Sequence, residues 1–182
     1  IPFPDGTVKV SGIKKLYGKT SSAAHKEVTN ILSGIHIEIT PKGITATGCD
    51  SRCIATARLE QDCGGSMDFT IPKATLSYLA SAAGDEELEV GRRGTFIIFM
   101  KEGMLFSAKK MAKEYVNTGM ILDSLKPMYE AKLEFKDFKE QVQYASDISA
   151  MGVENSYVRL DFGEEKITIS TTNDVGCATY SV

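Results

Sequence analysis

Residues 46–58, ATGCDSRCIATAR, hold two cysteines four apart, Cys49 and Cys53, around Asp50, Ser51 and Arg52. A thiol nucleophile would want a histidine nearby to take its proton, and no motif in the chain supplies one. A structural metal site would need four ligands. The four cysteines (Cys49, Cys53, Cys63, Cys177) form no C-x-x-C pair, and the two histidines, His25 and His36, lie in a different kind of segment. GRRG (91–94) lies between strand-like runs and is read as a hairpin turn, not a nucleotide loop. Asp50, Glu86 and Glu87 sit in separate contexts and make no acid–base pair. The expectation is no catalytic residue, no metal and no cofactor. Cys49 and Cys53 are then small buried strand residues, with thiols kept reduced in a cytoplasm. Alternation on both sides of the polar centre leaves open a bent joint between two strands, with its polar residues aimed at a partner.

The elements that would position this joint follow a rhythm of strand, helix, then several strands. TVKVS (7–11) alternates and gives way to a helical segment in which Ile13, Leu16, Tyr17, Thr20 and Ala24 share a face. MDFTIP (67–72) precedes KATLSYLASAA, with Leu76, Leu79, Ala80 and Ala83 on one face and Pro72 suited to a first turn. EAKLEF (130–135) precedes KDFKEQVQYAS, with Phe138, Val142 and Ala145 inward. After each helix come alternating strands joined by turns at ITPKGIT (39–45), MKEGM (100–104) and FGEEKI (162–167).

The first and third of these units align without a gap. IHIEITPKGITATGCDSRCIATA (35–57) lies over VRLDFGEEKITISTTNDVGCATY (158–180). Ile44-Thr45 falls on Ile167-Thr168 and Asp50 on Asn173, a constant shift of 123 residues (167 minus 44). The unit is duplicated. The predicted class is α+β, three units of one helix packed on antiparallel sheet, since one helix and a small sheet bury little alone. Units 1–62 and 63–125 pair into one domain, and 126–182 is left without a partner. The chain begins at Ile1, which fits a processed product or a piece of a larger protein.

With 42% apolar and 25% charged residues the chain is ordinary for a globular protein, and no apolar run reaches transmembrane length. A net charge of −3 excludes a wholly basic nucleic-acid binder but permits a local basic face. On a helical wheel, Lys15, Lys19 and Lys26 fall within about 40° of one another, opposite the apolar arc. Taken alone this is a solvated helix face. Lys73 opens the second helix, and Lys136 and Lys139 face outward on the third. If the helices share one side of a sheet wall, these lysines converge, which suits contact with phosphate and no base readout.

AHKEVTNILSGIHIE (24–38) followed by CDSRCIA (49–55) resembles the middle domain of the bacterial sliding clamp, the β subunit of DNA polymerase III. FTIPKATLSYL (69–79) resembles the Val-Pro-Arg-Lys segment of that family. FSAKKMAKEYVNTGMIL (106–122) is similar to its Ser-Lys-Leu…Phe-Pro-Asp-Tyr stretch, and 128–182 to the first half of its third domain.

The resemblance implies the DNA-clamp fold and a cytoplasmic, nucleoid-associated, non-catalytic ring. Such a ring is usually a head-to-tail homodimer that encircles duplex DNA without sequence preference and tethers the polymerase. By position it implies DNA-facing roles for Lys26, Thr29 and Lys73. It also implies a peptide groove for polymerase, clamp-loader and repair-protein tails, formed by Leu32, Cys49, Ser51, Arg52, Cys53, Ile54, Val116, Met120 and Ile121. Arg52-Cys53 stand where the family has His-Arg, and Tyr115-Val116-Asn117 where it has Phe-Pro-Asp. The unpaired third unit is expected to find a mate, giving a homo-oligomer. Two other classes stay open: an interaction module that binds peptides without encircling DNA, and a thiol or metal enzyme.

Overall fold

Residues 34–40, GIHIEIT, put Ile35, Ile37 and Ile39 on one side of a strand and His36, Glu38 and Thr40 on the other. In the computed structural model, which describes residues 4, 6–126, 132–152 and 157–182, those isoleucines are buried and Glu38 and Thr40 exposed. The chain divides into two compact units, Ile1–Leu125 and Lys126–Val182.

The first unit runs β1 (Thr7–Val10), α1 (Ile13–Thr20), β2 (Gly34–Thr40), β3 (Gly43–Cys49) and β4 (Ile54–Glu60). It continues with β5 (Met67–Pro72), α2 (Lys73–Ala83), β6 (Leu88–Arg93), β7 (Phe96–Lys101), β8 (Met104–Lys109) and α3 (Thr118–Ser124). Two four-stranded antiparallel sheets result, ordered β4-β3-β2-β5 and β1-β6-β7-β8. Each sheet takes its outer strand from the other repeat. Val8 of β1 lies opposite Val90 of β6, and Phe69 of β5 opposite Ile37 of β2. The two units are thus joined by an exchange of strands, which the reading of one helix with its own strands per unit did not contain. Inside its own repeat, an opening strand would return through the helix as a parallel neighbour, whereas exchange keeps every ladder antiparallel.

Both sheets and both long helices share one core. Ile13, Leu16, Leu76, Leu79, Ala80 and Ala83 meet Ile35, Ile37, Leu88 and Phe99 in it. Phe99 stands edge-on to Phe69 and Phe106, with ring centroids 6.0 and 6.3 Å away. Burying a side chain of this size contributes roughly 1.5–3 kcal/mol.

Several sequence expectations shift locally. The first helix stops at Thr20, whose hydroxyl donates to the Leu16 carbonyl 2.8 Å away, and a 3-10 turn follows over Ser21–Ala23. Serines favour such ends because their hydroxyls compete for backbone groups. Ala24 is buried, but beyond the helix. Pro72 ends β5 and caps α2 instead of entering its first turn. The turn expected at GRRG begins later: Arg93 pairs with Phe96, and Gly94 with Thr95 makes the bend at φ 58°. Helix α3 carries no long apolar period and was not expected; Asn117 starts it by accepting the Met120 N–H at 3.0 Å.

The second unit contains α4 (Phe135–Met151), β9 (Arg159–Phe162), β10 (Ile167–Thr172) and β11 (Cys177–Ser181), with sheet order β11-β10-β9. Ala145, Ile167 and Ile169 form its small core, with Phe138 and Val142 packed against them. Of the strand expected at 130–135, residues 130 and 131 lie outside the described residues. Residues 132–134 join no ladder, and Phe135 opens the helix.

The duplication is visible atom by atom. Asp50 N–H donates to the Cys53 carbonyl at 3.0 Å while its carboxylate accepts from the Arg52 and Cys53 amides. Asn173 N–H donates to the Gly176 carbonyl at 2.9 Å while its side-chain oxygen accepts from the Val175 and Gly176 amides.

Candidate binding cleft and basic face

The Asp50–Cys53 joint closes the β3–β4 hairpin and stands against α3. Between them lies a cleft of about 490 Å³, lined by Leu32, Cys49, Asp50, Ser51, Arg52, Cys53, Ile54, Val116, Ile121, Leu122 and Leu125. The sequence-derived set thus comes together, except for Met120, which lies outside the lining and is largely exposed. Asp50, Leu122 and Leu125 join the lining and were missed. The apolar triple Ile121, Leu122 and Leu125 at helical spacing was the available signal, but it spans too short a run to stand out. Cys49 is buried as expected. Cys53 is exposed and outside either strand, because the turn carries it past the end of the ladder.

The cleft floor is soft and apolar, and its rim carries the exposed Arg52 and the Asp50 carboxylate. Such a surface takes an apolar anchor and orients a polar neighbour. Burial, then the Asp50 carboxylate, raises the Cys49 thiol. Partial desolvation, then its hydrogen bond to Asp50, raises Cys53. Both effects disfavour the thiolate that a thiol enzyme would need. Among the described residues no cluster of three or more His, Cys, Asp or Glu side chains could hold a metal ion.

The Arg52 and Cys53 amides hold the Asp50 carboxyl below the ordinary aspartate range. A depressed value means the charged form supports the turn: its contribution is complete above the usual aspartate pKa and is lost as pH falls through the lower folded value. Asn173 makes the equivalent turn uncharged. Asp50→Asn is therefore expected to keep the melting temperature and abolish this acid sensitivity. Asp50→Ala should lower the melting temperature, and thermal melts at neutral and acid pH check both.

On the basic side, Lys15 and Lys19 are exposed on α1, and Lys73 is half-buried as the first residue of α2. The helices pack side by side. The Gly12 and Lys14 amides bond to the Asp85 and Gly84 carbonyls, so the start of α1 meets the end of α2. That brings the last turn of α1, with Lys19, toward the first turn of α2, with Lys73. Lys26 does not continue the α1 stripe. It and Thr29 are exposed in the irregular stretch after the 3-10 turn, where the Thr29 hydroxyl bonds Glu27 at 3.2 Å. Lys136 and Lys139 are exposed on α4 of the second unit.

No protein-family model and no curated protein matches the chain. Solved structures do match it along its whole length. The β chain of DNA polymerase III from Streptococcus pneumoniae superimposes with a TM-score of 0.81 at 17% identity, with this chain covering 50% of it. The DNA polymerase sliding clamp from Bacillus subtilis gives 0.81 at 20% identity and 50% coverage. The chain has the fold of a bacterial sliding clamp. A third clamp, from Pseudomonas aeruginosa, gives 0.80 at 17% identity and 52% coverage. The chain thus spans about half the length of the clamps it matches. No helix among the described residues is long and apolar enough to cross a membrane.

Proposed function

We propose that this chain is part of a DNA sliding clamp, a non-catalytic processivity factor of the cytoplasm and nucleoid that encircles duplex DNA and tethers a replicative polymerase. The observation that supports this reading is the match of the whole of this chain to about half of clamps from several bacteria, at TM-scores near 0.8. On this reading residues 1–125 correspond to the clamp's middle domain and 126–182 to the first half of its third. Lys15, Lys19 and Lys73 face the phosphate backbone, with Lys26, Thr29, Lys136 and Lys139 as further contacts. The cleft from Leu32 to Leu125 receives apolar peptide tails of polymerase, clamp loader and other partners. Among the described residues the second unit's sheet has three strands where each sheet of the first has four, and in that unit Phe135 and Met151, at the ends of α4, and Phe162, on β9, are exposed. A further repeat, from a longer chain or a second copy, would complete it and the ring.

The test is DNA binding by the ring-forming protein that contains this sequence. Affinity is expected to be weak, indifferent to sequence and steeply salt-dependent. Changing Lys15, Lys19 and Lys73 to glutamate should abolish it. In the milder triple alanine variant, which leaves binding measurable, the slope of log affinity against log salt should fall by about 2.7 for each copy of the chain in the ring if each lysine contacts one phosphate. Salt-independent binding, or no effect of charge reversal, would refute the reading.

A second reading rests on the cleft. Its lining comes entirely from residues 32–125, so peptide capture does not require ring closure. An interaction module of this kind would bind a clamp-binding peptide with an affinity that duplex DNA leaves unchanged.

A further inference from the structure

Between β8 and α3 the chain crosses the outer side of the β4-β3-β2-β5 sheet as an irregular strap, residues 110–117. Thr70 of the edge strand β5 fixes its start: the Met111 amide donates to the Thr70 carbonyl at 2.8 Å. The Thr70 hydroxyl lies 3.0 Å from Nδ1 of His36. The His36 ring in turn stacks on Tyr115, with centroids 5.1 Å apart and planes 7° from parallel. The far end of Tyr115 reaches the Cys49 backbone, on the cleft floor, where its hydroxyl is buried. The next residue, Val116, lines the cleft. One ring-on-ring contact therefore connects the sheet surface to the cleft wall.

We propose that the His36–Tyr115 stack is a proton-sensitive latch, closed while the imidazole is neutral, that holds the strap on the sheet and so sets the position of Val116 in the cleft. Its regulatory meaning rests on the peptide-cleft reading; the latch itself does not.

The surroundings of His36 support the direction. Burial lowers its pKa, outweighing Glu38 on its own strand and Asp68 on β5, which favour the cation. Nε2 is 3.9 Å from the Glu38 carboxylate, and that carboxylate is mostly exposed, so its attraction is screened. β3 offers Thr47, which does not titrate, opposite His36. The strap brings Lys110, Lys113, Glu114 and Tyr115 to the same hollow, two cations against one carboxylate. Once the strap lifts, the ring is hydrated and returns toward its ordinary value of about 6.5. The lifted state then takes up a proton first as pH falls through that range, and the equilibrium shifts toward it. The shift is complete once pH passes below the depressed value of the stacked ring.

The experiment is an NMR titration of the full chain from about pH 7.5 to 5.5, the range in which imidazole responds, following methyl and amide signals. The Val116 and Ile121 methyls are expected to move with the midpoint of the His36 ring proton. The Met111 amide, which ties the strap to the Thr70 carbonyl, should lose several-fold of its exchange protection, while the Ile37 and Ile44 core methyls stay fixed. In His36→Phe, which keeps a flat ring to stack but cannot titrate, the strap signals should not move. His36→Gln provides a second non-titrating variant if the phenylalanine is not accommodated. Strap methyls that stay fixed while His36 titrates, or that move equally in a non-titrating variant, would overturn the proposal. No peptide is present in these spectra, so failure of any clamp-binding peptide to bind would sink the cleft reading and leave the latch result standing.

Discussion

Cut between residues 62 and 63, the two repeats of the first unit are expected to be unfolded when separate and to regain structure only when mixed. Residues 1–62 contain β1 but not its partner β6, and β2 without the β5 strand that covers its edge. Residues 63–125 have the mirror-image deficit. Neither half keeps a closed core, because α1 and α2 pack on each other and on a cluster drawn from both halves. At about 60 residues a chain is marginal even with an intact core, since it buries only about 60% of its unfolded surface. The measurement is far-UV circular dichroism of each peptide and of the equimolar mixture. Stable folding of either half alone would contradict the exchanged strands.

Gly48→Ala is expected to be strongly destabilising in the first unit, toward the upper end of the roughly 1–3 kcal/mol typical of overpacking. A Cβ at Gly48 would collide with the Thr20 carbonyl and press on Ile35. Thr20 ends α1 and is itself fully buried, and Ile35 anchors β2, so neither neighbour can yield without moving an element. Gly64 is the comparison. There an alanine would meet no atom within 4 Å, and its cost is only that of φ 71°, on the order of 1 kcal/mol. Chemical denaturation of both variants orders them: a smaller loss for Gly48→Ala than for Gly64→Ala would mean that α1 and β3 do not approach as closely as described.

Both effects depend on features that differ in how far the amino-acid order reveals them. The β3–β4 joint was legible because its signals are local. Alternation ends at Asp50 and resumes at Ile54, and the gapless match of Asp50 to Asn173 marks a turn used twice. The helix faces around Leu76 and Leu79 were legible for the same reason, since periodicity needs only neighbours along the chain. Lys26 was misassigned to the α1 stripe because a wheel extends a helix indefinitely, whereas Ser21–Ala23 tightens into a 3-10 turn against its surroundings. Met120 was assigned to the cleft by position alone, whereas α3 lines the cleft with Ile121 and Leu122, and Leu125 at its end joins them.

By itself the order of residues determined a duplicated α+β unit, its repeated helices and most of its strands, the Asp50 joint and the lysines of the first two helices, all encoded in spacing along the chain. Tertiary structure alone decided that opening strands cross between repeats, that α3 closes the cleft, and that His36 lies against Tyr115. Those pairings join residues tens of positions apart, chosen by which edges and faces remain uncovered once each local element has formed. Composition and periodicity are blind to that choice.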